Sequence, residues 1–289
     1  MMTRLVIFVL WLLHFLPLPV LARIGSVLGW ALYYLGAERR HVADTNLRLC
    51  FPELSEYERA VLAKQNFRMF ARSLLERSIL WWSSAERIQG MIRVEGLAHL
   101  QAAQSGPVIM LAPHFVALDV GGSWLTQYVN LVSIYSNQKN KIFHNMLLHG
   151  RSRFGQQQLY ARQQGLRSVV KAIRDGLPFY YLPDQDLATK DGVFVPFFGV
   201  QAATLNTVAR LAKMTHAKVV PCISRILPDA AGYEVRFYPA WENYPSDDLV
   251  ADTRRVNEFI EERVREMPEQ YFWLHKRFKT RPEGEQGFY

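Results

Sequence analysis

Cysteine is scarce in this chain, which has only Cys50 and Cys222 among its 289 residues. Two isolated thiols exclude a disulfide scaffold and argue against a cysteine-ligated zinc or iron–sulfur centre. Low-complexity tracts and linkers rich in Pro or Ser are also missing from residues 41–289, and 49% of the whole chain is hydrophobic. The chain is therefore not disordered, and it is long enough for one large packed domain in a reducing compartment.

The sequence also lacks the short motifs of several enzyme classes. It contains no G-x-x-x-x-G-K-[ST], no H-E-x-x-H and no G-x-S-x-G, and no G-x-G-x-x-G follows a predicted strand. These absences argue against P-loop, zincin, serine-hydrolase and dinucleotide-binding proteins. His144 and His149 are five residues apart, which is a poor spacing for one face of a helix. We therefore expect no metal site and no cofactor.

Positive charge exceeds negative charge: the chain has 34 Lys and Arg residues and 26 Asp and Glu residues, which gives a formal net charge of +8. A basic chain favours an anionic partner such as an acidic membrane surface, an acidic protein, a phosphorylated lipid or a nucleic acid. Aromatic residues make up 13% of the chain and include 7 Trp, which favours a membrane interface. Because no helix-turn-helix, zinc or RRM-like motif is present, we expect no nucleic acid partner.

The first forty residues differ in composition from the rest. Leu5 to Ala22 carry no formal charge over 18 residues, a length that reaches about 27 Å as a helix and matches the hydrocarbon thickness of a bilayer. Pro17 and Pro19 remove backbone donors, so the helix should kink or end near Leu16. A second apolar stretch, Ile24 to Gly36, contains the pattern Gly25-x-x-x-Gly29.

Three interpretations of this segment remain open: a cleaved signal peptide, a buried helix of a soluble protein, and a retained membrane-anchoring helical hairpin. The possible cleavage site is poor, so we favour the anchor over residues 1–40, followed by one catalytic domain over residues 41–289. The basic residues that flank the apolar zone lie mostly after it, which predicts a cytoplasmic location for the body of the protein. They are Arg23, Arg39, Arg40 and Arg48.

After the anchor, helical and strand patterns alternate. Ser55-Glu56-Tyr57-Glu58 has the spacing of a capping box and opens a long helix that runs to Trp81-Trp82. Short apolar runs predict strands at Pro107–Ala112, Leu131–Tyr135, Pro178–Leu182, Val193–Phe198 and Ala217–Ile223. Amphipathic patterns predict helices near Leu118–Tyr128, Lys139–Phe154, Gly165–Arg174, Thr204–Met214 and Asp247–Glu266. This order is typical of an α/β fold with a mostly parallel sheet flanked by helices.

The segment Pro113 to Asp119 lies where the first predicted strand turns into a helix. In open α/β sheets, ligands bind beyond the carboxyl ends of the strands, so His114 should face such a crevice. Asp119, inside the first helical turn, is placed to fold back to the imidazole and hold one ring nitrogen. A simpler interpretation is that Asp119 only favours the helix start and that His114 is a loop residue, because H-x-x-x-x-D also arises by chance.

Further blocks follow this pair in order. They are Gly150-Arg151-Ser152-Arg153-Phe154-Gly155, Leu159-Tyr160-Ala161-Arg162, Pro183-Asp184-Gln185, Val193-Phe194-Val195-Pro196-Phe197-Phe198-Gly199 and the segment from Pro268 to Pro282. The set, together with the N-terminal anchor, closely resembles the bacterial lipid A biosynthesis acyltransferases. This lauroyl/myristoyl transferase family lies within the lysophospholipid and glycerophosphate acyltransferase superfamily. The resemblance covers nearly the whole chain.

The resemblance implies transfer of a fatty acyl group from acyl carrier protein to a hydroxyl of a lipid A precursor, at the cytoplasmic face of the inner membrane. It implies that His114 and Asp119 are the catalytic pair and that Arg151 and Asp184 are polar positions of the site. Arg162 matches an arginine of the superfamily's second block, while Arg153 competes with Arg151 for one role. Pro183-Asp184-Gln185 replaces the superfamily's usual Pro-Glu-Gly.

On this basis we expect His114 to act as a general base, with Asp119 stabilising the imidazolium. A thioester hydrolase, a catalytically silent membrane scaffold, and an acyltransferase for another glycolipid or aminolipid remain alternatives.

Two basic surfaces are also expected. One is a stripe of Arg167, Lys171 and Arg174, which could equally be an ordinary solvated helix face. The other is a cluster from His275 to Arg281 whose interleaved aromatic residues resemble a membrane interface.

Overall fold

A computed structural model describes residues 2–187 and 192–289 of the chain. The α-helices in these ranges are α1 (Met2–Leu13), α2 (Leu18–Leu35), α3 (Ala37–Cys50), α4 (Glu56–Trp82), α5 (Ala85–Gln89), α6 (Leu97–Ala103), α7 (Leu118–Tyr128), α8 (Lys141–Ser152), α9 (Arg167–Arg174), α10 (Thr207–Thr215) and α11 (Leu249–Glu266). The β-strands are β1 (Ile92–Glu95), β2 (Val108–Leu111), β3 (Val132–Tyr135), β4 (Gln158–Ala161), β5 (Phe179–Tyr181), β6 (Gly192–Phe197), β7 (Val200–Leu205), β8 (Lys218–Ile226) and β9 (Tyr233–Phe237).

The main sheet has seven strands in the order β1-β9-β8-β2-β5-β3-β4. Strands β8 and β9 are antiparallel, and the other neighbouring pairs among the described residues are parallel. The predicted α/β fold with a mostly parallel sheet flanked by helices is therefore confirmed. The carboxyl ends of β2, β3, β4 and β5 meet at one edge of this sheet, because these four strands are parallel neighbours.

Helices cover both faces of the sheet. Ile109 and Leu111 of β2 pack in one hydrophobic cluster with residues of α9, α10 and α11. Val108 and Met110 pack in another cluster with residues of α6 and α7. Because β2 is buried on both faces, all of its residues are apolar rather than alternating with polar ones.

One predicted helix boundary is wrong. The helix expected to begin at Thr204 begins at Thr207, because Val200–Leu205 forms strand β7. This strand pairs antiparallel with β6 in a separate hairpin, so the predicted strand Val193–Phe198 lies outside the main sheet. The turn between them uses Gly199 at φ 77°, a conformation that favours glycine.

Three further strands were not predicted. Strands β1 and β4 lie at the edges of the sheet and are partly exposed, so they lack the continuous apolar run that predicted the central strands. Strand β9 pairs with β1 and β8.

The N-terminal apolar segment is broken where the prolines predict. Helix α1 ends at Leu13, and α2 begins at Leu18 after Pro17. Helix α2 is long and apolar enough to cross a membrane, and 33% of its 18 residues are buried. Its exposed large apolar side chains, which argue against a wholly buried helix, are Val20, Ile24, Val27, Leu28, Trp30, Tyr34 and Leu35.

Gly25 and Gly29 allow α2 to lie directly on α4. A Cβ atom at Gly25 would be 2.7 Å from the Cα of Arg72, and one at Gly29 would be 2.4 Å from the Cα of Arg68. No side chain fits at these separations, so both glycines are required for the contact. Through this contact, α4 joins the apolar segment to the rest of the domain.

Helix α4 itself starts with the predicted capping box at Ser55 and Glu58.

Candidate active site

His114 lies three residues after the end of β2, and its ring is held by a carboxylate from the loop after β5. The Nδ1 atom of His114 is 2.7 Å from Oδ1 of Asp184, and the backbone N–H of His114 donates to Oδ2 of the same carboxylate at 3.0 Å. The hydroxyl of Tyr271 also donates to Oδ2 of Asp184, at 2.9 Å. Three groups therefore form hydrogen bonds with the Asp184 carboxylate.

These contacts keep Asp184 ionised. Burial alone would raise the pKa of this carboxyl, but the His114 ring, the His114 backbone N–H and the Tyr271 hydroxyl together lower it to about 2. An ionised acceptor on Nδ1 favours the tautomer that carries its proton there. Nε2 is then the ring nitrogen that can accept a proton from a substrate.

The expected contact between Asp119 and the His114 ring is wrong, since the carboxylate on the ring is that of Asp184. Oδ2 of Asp119 instead accepts a hydrogen bond from Nε of Arg77 at 2.5 Å. Its Oδ1 lies 3.6 Å from Nη2 of Arg151. Asp119 is in the first turn of α7 and thus faces α4 and α8, whereas Asp184 reaches His114 because β5 runs beside β2.

Asp119 still contributes charge to the same site. Burial alone would raise the pKa of its carboxyl, but the charges of Arg77 and Arg151, the hydrogen bond from Arg77 and the His114 ring hold this pKa below its ordinary range. Asp119 is therefore an ionised group in the electrostatic reach of the imidazole.

A cavity of about 510 Å³ opens in front of these groups. Its volume lies in the range of about 300–1,000 Å³ that is typical of ligand pockets. His114, Asp119 and Arg151 line it together, and His114 lies just beyond the carboxyl end of β2, as the chain order predicts. Much of the remaining wall is apolar and includes Leu118, Leu131, Ile134, Leu147, Leu148, Leu159, Leu166 and Leu182. Such a space can hold a long apolar chain with one end at His114.

The structure separates the two competing arginines. Arg151 lines the cavity beside Asp119. Arg153 donates to the carbonyl oxygens of Leu80 and Ser83, both at 2.7 Å, and so closes the C-terminal end of α4. Arg153 is not among the described residues that line the cavity. Its predicted site role is corrected to a structural one.

Further exposed basic side chains lie in the cavity wall and on α9. Arg162 and Arg210 line it and are exposed. The predicted stripe of Arg167, Lys171 and Arg174 is exposed on α9. Lys171 lies 3.8 Å from Asp175, and Arg174 donates to the carbonyl of Met214. None of the three stripe residues is among the described residues that line the cavity, so the stripe is an exposed basic face of α9 outside the cavity wall.

The C-terminal cluster is not a membrane interface. Tyr271, Trp273 and Phe278 are buried in the main core, and Arg277 is 2% exposed. Arg277 donates to the carbonyl of Ala203 at 2.9 Å. The expected interface is therefore wrong: the aromatic rings and Arg277 are packed inside, while Lys279 lies at the surface.

This buried C-terminal segment instead supports the site. The backbone N–H of Phe272 donates to the His114 carbonyl at 3.0 Å, and the hydroxyl of Tyr271 binds Asp184. The backbone N–H of Asp186 donates to Nε2 of His275 at 3.1 Å. Burial, followed by the nearby His114 ring, lowers the pKa of His275 to about 4, so this histidine is neutral.

Sequence reasoning missed two residues of the site. Arg77 is 42 positions before Asp119 on a long helix whose pattern suggests only packing. Tyr271 belongs to the C-terminal block, whose aromatic residues suggested a membrane surface. Neither residue has a local signal that would reveal its partner.

The chain is similar to known proteins over most of its length. The family model described as bacterial lipid A biosynthesis acyltransferase matches residues 1–280. The chain is 35% identical over 286 residues to the lipid A biosynthesis lauroyltransferase of Escherichia coli (strain K12), covering 98% of this chain and 93% of that protein. It is 33% identical over 270 residues to the lipid A biosynthesis myristoyltransferase of the same organism, covering 92% of this chain and 82% of that protein.

Two further proteins are similar. The lipid A biosynthesis palmitoleoyltransferase of Escherichia coli (strain K12) is 33% identical over 284 residues, covering 97% of this chain and 92% of that protein. Among solved structures, the 1-acyl-sn-glycerophosphate acyltransferase from Thermotoga maritima has a TM-score of 0.39 and 14% identity, covering 84% of this chain and 97% of that chain.

Proposed function

The chain belongs to the family of bacterial lipid A biosynthesis acyltransferases, and we propose that it transfers a fatty acyl group from acyl carrier protein to a hydroxyl of a lipid A precursor. The observation that carries this proposal is the largely apolar cavity with His114, Asp119 and Arg151 in its wall. An acyl chain would lie along the apolar wall, with its thioester carbon beside the imidazole.

His114 acts as a general base. A hydroxyl with a pKa of about 15.7 is about 9 units less acidic than an ordinary imidazolium, and full deprotonation before attack would cost about 12 kcal/mol. Nε2 therefore takes the proton while the hydroxyl oxygen bonds to the thioester carbon. Asp184 keeps the ring in the required tautomer through Nδ1.

Two charged groups stabilise this step. The guanidinium of Arg151 lines the cavity and stabilises the negative charge that develops on the thioester oxygen. The ionised Asp119 offsets the positive charge that forms on the imidazole. The C–S bond then breaks, and the leaving thiolate takes the proton from His114. Cys50 and Cys222 are both buried, so neither thiol is available as a nucleophile. The acyl group therefore passes directly from the donor to the acceptor.

The surroundings of the cavity suit both substrates. Arg162 and Arg210 line the cavity and are exposed, so they would attract an acidic carrier protein or the phosphates of the acceptor lipid. The exposed apolar side chains of α1 and α2 would hold the protein on the membrane that supplies this lipid. We propose the cytoplasmic face of the inner membrane as this location.

The test is acyl transfer by the full-length protein in detergent or membranes. Acyl carrier protein thioester is supplied with and without a phosphorylated glucosamine disaccharide lipid, and the lipid is analysed by mass spectrometry. We expect the lipid to gain the mass of one acyl group, and His114→Ala to abolish the gain. His149→Ala is the matched control, because His149 is an exposed histidine on α8 outside the set of residues that lines the cavity.

Other results would overturn the proposal. Acyl release at the same rate without the lipid would indicate a thioester hydrolase. Transfer to another glycolipid or aminolipid, but not to the disaccharide, would refute the proposed acceptor. Full transfer by His114→Ala would remove the assigned base.

A further inference from the structure

Arg77 of the long helix α4 forms an ion pair with Asp119, a residue of the cavity wall. Its Nε donates to Oδ2 of Asp119 at 2.5 Å, and the two side chains are 22% and 19% exposed. Ion pairs that are removed from water to this degree are screened less than surface pairs. The contact therefore holds the Asp119 carboxylate in a defined orientation.

Arg77 reaches the reacting groups only through Asp119. Asp119, Arg151 and His114 line the main cavity, whereas Arg77 is not among the described residues that do so. Arg77 lies behind Asp119, where both border a second, very small pocket. With Oδ2 bound to Arg77, Oδ1 is the oxygen that faces Nη2 of Arg151 at 3.6 Å.

The turn of α4 that carries Arg77 is itself fixed by neighbouring contacts. Glu76 is 3.0 Å from Nε of Arg72 and accepts a hydrogen bond from the hydroxyl of Tyr233 at 2.8 Å. Arg72 lies directly beneath Gly25 of α2. The packing of the apolar segment on α4 therefore sets the place from which Arg77 reaches the site.

We propose that Arg77 is a positioning residue: it holds the ionised Asp119 so that Asp119 keeps the Arg151 guanidinium directed at the reacting thioester. The role of Arg151 rests on the proposed function given above. The ion pair between Arg77 and Asp119 does not, since it stands on the contact alone.

Substitution should affect turnover rather than binding. In Arg77→Met we expect kcat to fall by about 100-fold, because misplacement of a group by about 1 Å has effects of that size. KM for the acyl donor and for the lipid should stay near the wild-type values. Arg68→Met is the matched control, as Arg68 is an exposed arginine on the same helix, and it should keep the wild-type kcat.

The pH profile separates positioning from general structural support. The charged or titratable groups around Asp119 are Arg77 on α4, Arg151 on α8, His114 after β2 and Tyr180 on β5. Removing Arg77 removes one of the charges that keep the partly buried Asp119 carboxyl ionised. The acid limb of kcat should therefore move to higher pH in Arg77→Met and stay in place in Arg77→Lys. An equal loss of kcat at every pH, or an unshifted profile in Arg77→Met, would overturn the proposal.

A double-mutant cycle tests the ion pair without any substrate. Arg77→Met should lower the Tm because the partly buried Asp119 charge loses its hydrogen-bonded partner and keeps only Arg151 at 3.6 Å, and adding Asp119→Asn should recover part of the loss. Strictly additive Tm changes would show that the two residues are not coupled, and would overturn the proposal. If wild-type protein fails to transfer acyl groups to the lipid while the Tm cycle shows coupling, only the proposed function is refuted.

Discussion

The imidazole of His114 is bound by Asp184, a residue 70 positions further along the chain, with 2.7 Å between Nδ1 and Oδ1. The two residues follow β2 and β5, which are parallel neighbours in the sheet. Their side chains therefore meet at the shared carboxyl edge. Asp119 lies in the same wall but is paired with Arg77 and Arg151.

The first prediction separates the two carboxylates. Asp184→Asn should lower kcat by about 10³- to 10⁴-fold, because an amide no longer favours the tautomer with the proton on Nδ1. Asp119→Asn should cost less, since the ring keeps Asp184. Steady-state kinetics of both variants would check this order. An Asp119→Asn variant that loses more activity than Asp184→Asn would show that the ring depends on Asp119 instead.

The second prediction concerns Tyr271, whose hydroxyl donates to Asp184. Tyr271→Phe should keep the ring in the core and remove one hydrogen bond to a charged group, at a cost of about 1.5–3 kcal/mol in the free energy of unfolding. Chemical denaturation would measure it. The control is Tyr289→Phe, which removes the hydroxyl of a partly buried tyrosine that is hydrogen-bonded to Asn46 rather than to Asp184. Tyr289→Phe should leave kcat unchanged, whereas Tyr271→Phe should lower kcat.

The third prediction compares neighbouring arginines. Arg151→Ala should lower kcat by about 100-fold with little change in Tm, because it removes a charged donor from the cavity. Arg153→Ala should lower the Tm, since the carbonyls of Leu80 and Ser83 lose their donor, at about 1–3 kcal/mol. Measuring kcat and Tm for both variants checks this. The reverse pattern would return the site role to Arg153.

The fourth prediction is a pH effect on stability. His275 has a folded pKa of about 4, below its ordinary value of 6.5, so the unfolded chain binds more protons between these values. Its contribution to stability is complete above pH 6.5 and is lost as the pH falls towards 4, at up to about 1.4 kcal/mol per pH unit. The contribution of Asp184 to stability persists to lower pH, because the pKa of its carboxyl in the folded protein is about 2.

The measurement is Tm between pH 7 and pH 4 for wild type and His275→Gln. A glutamine oxygen can accept the Asp186 N–H that His275 now binds, without gaining a proton. The Tm of His275→Gln should therefore fall less steeply with acid. The same slope in both proteins would show that another group causes the acid loss.

The fifth prediction concerns the shape of the cavity. Gly122 lines it, and a Cβ atom there would meet Tyr180 at 3.6 Å, an ordinary contact. Gly122→Leu should therefore fold and shorten the apolar space, which shifts the preference towards shorter acyl chains. Competition among carrier-protein thioesters of different chain lengths would show this. Gly106→Leu is the control, because a Cβ atom at Gly106 has nothing within 4 Å. An unchanged preference in Gly122→Leu would place the chain elsewhere.

Much of the local structure follows directly from the sequence. The capping box at Ser55 starts α4, the prolines end α1, and the helix predicted for Leu118–Tyr128 has those same ends. Such features depend on residues within one or two turns of each other, so periodicity and capping predict them. The fold class, the family and the placement of His114 at a strand end were also predictable from the sequence.

The partners of the charged groups were decided by the tertiary structure alone. Whether Asp184 or Asp119 meets the imidazole depends on the order of β2 and β5 in the sheet, which no local pattern encodes. The pairing of Arg77 with Asp119 depends on how α4 crosses the end of that sheet. Likewise, the aromatic residues near Trp273 look the same in sequence at a membrane surface and in a core, and only packing of the whole chain buries them. Burial and long-range pairing come from the arrangement of all elements together, and so they are properties of the folded chain.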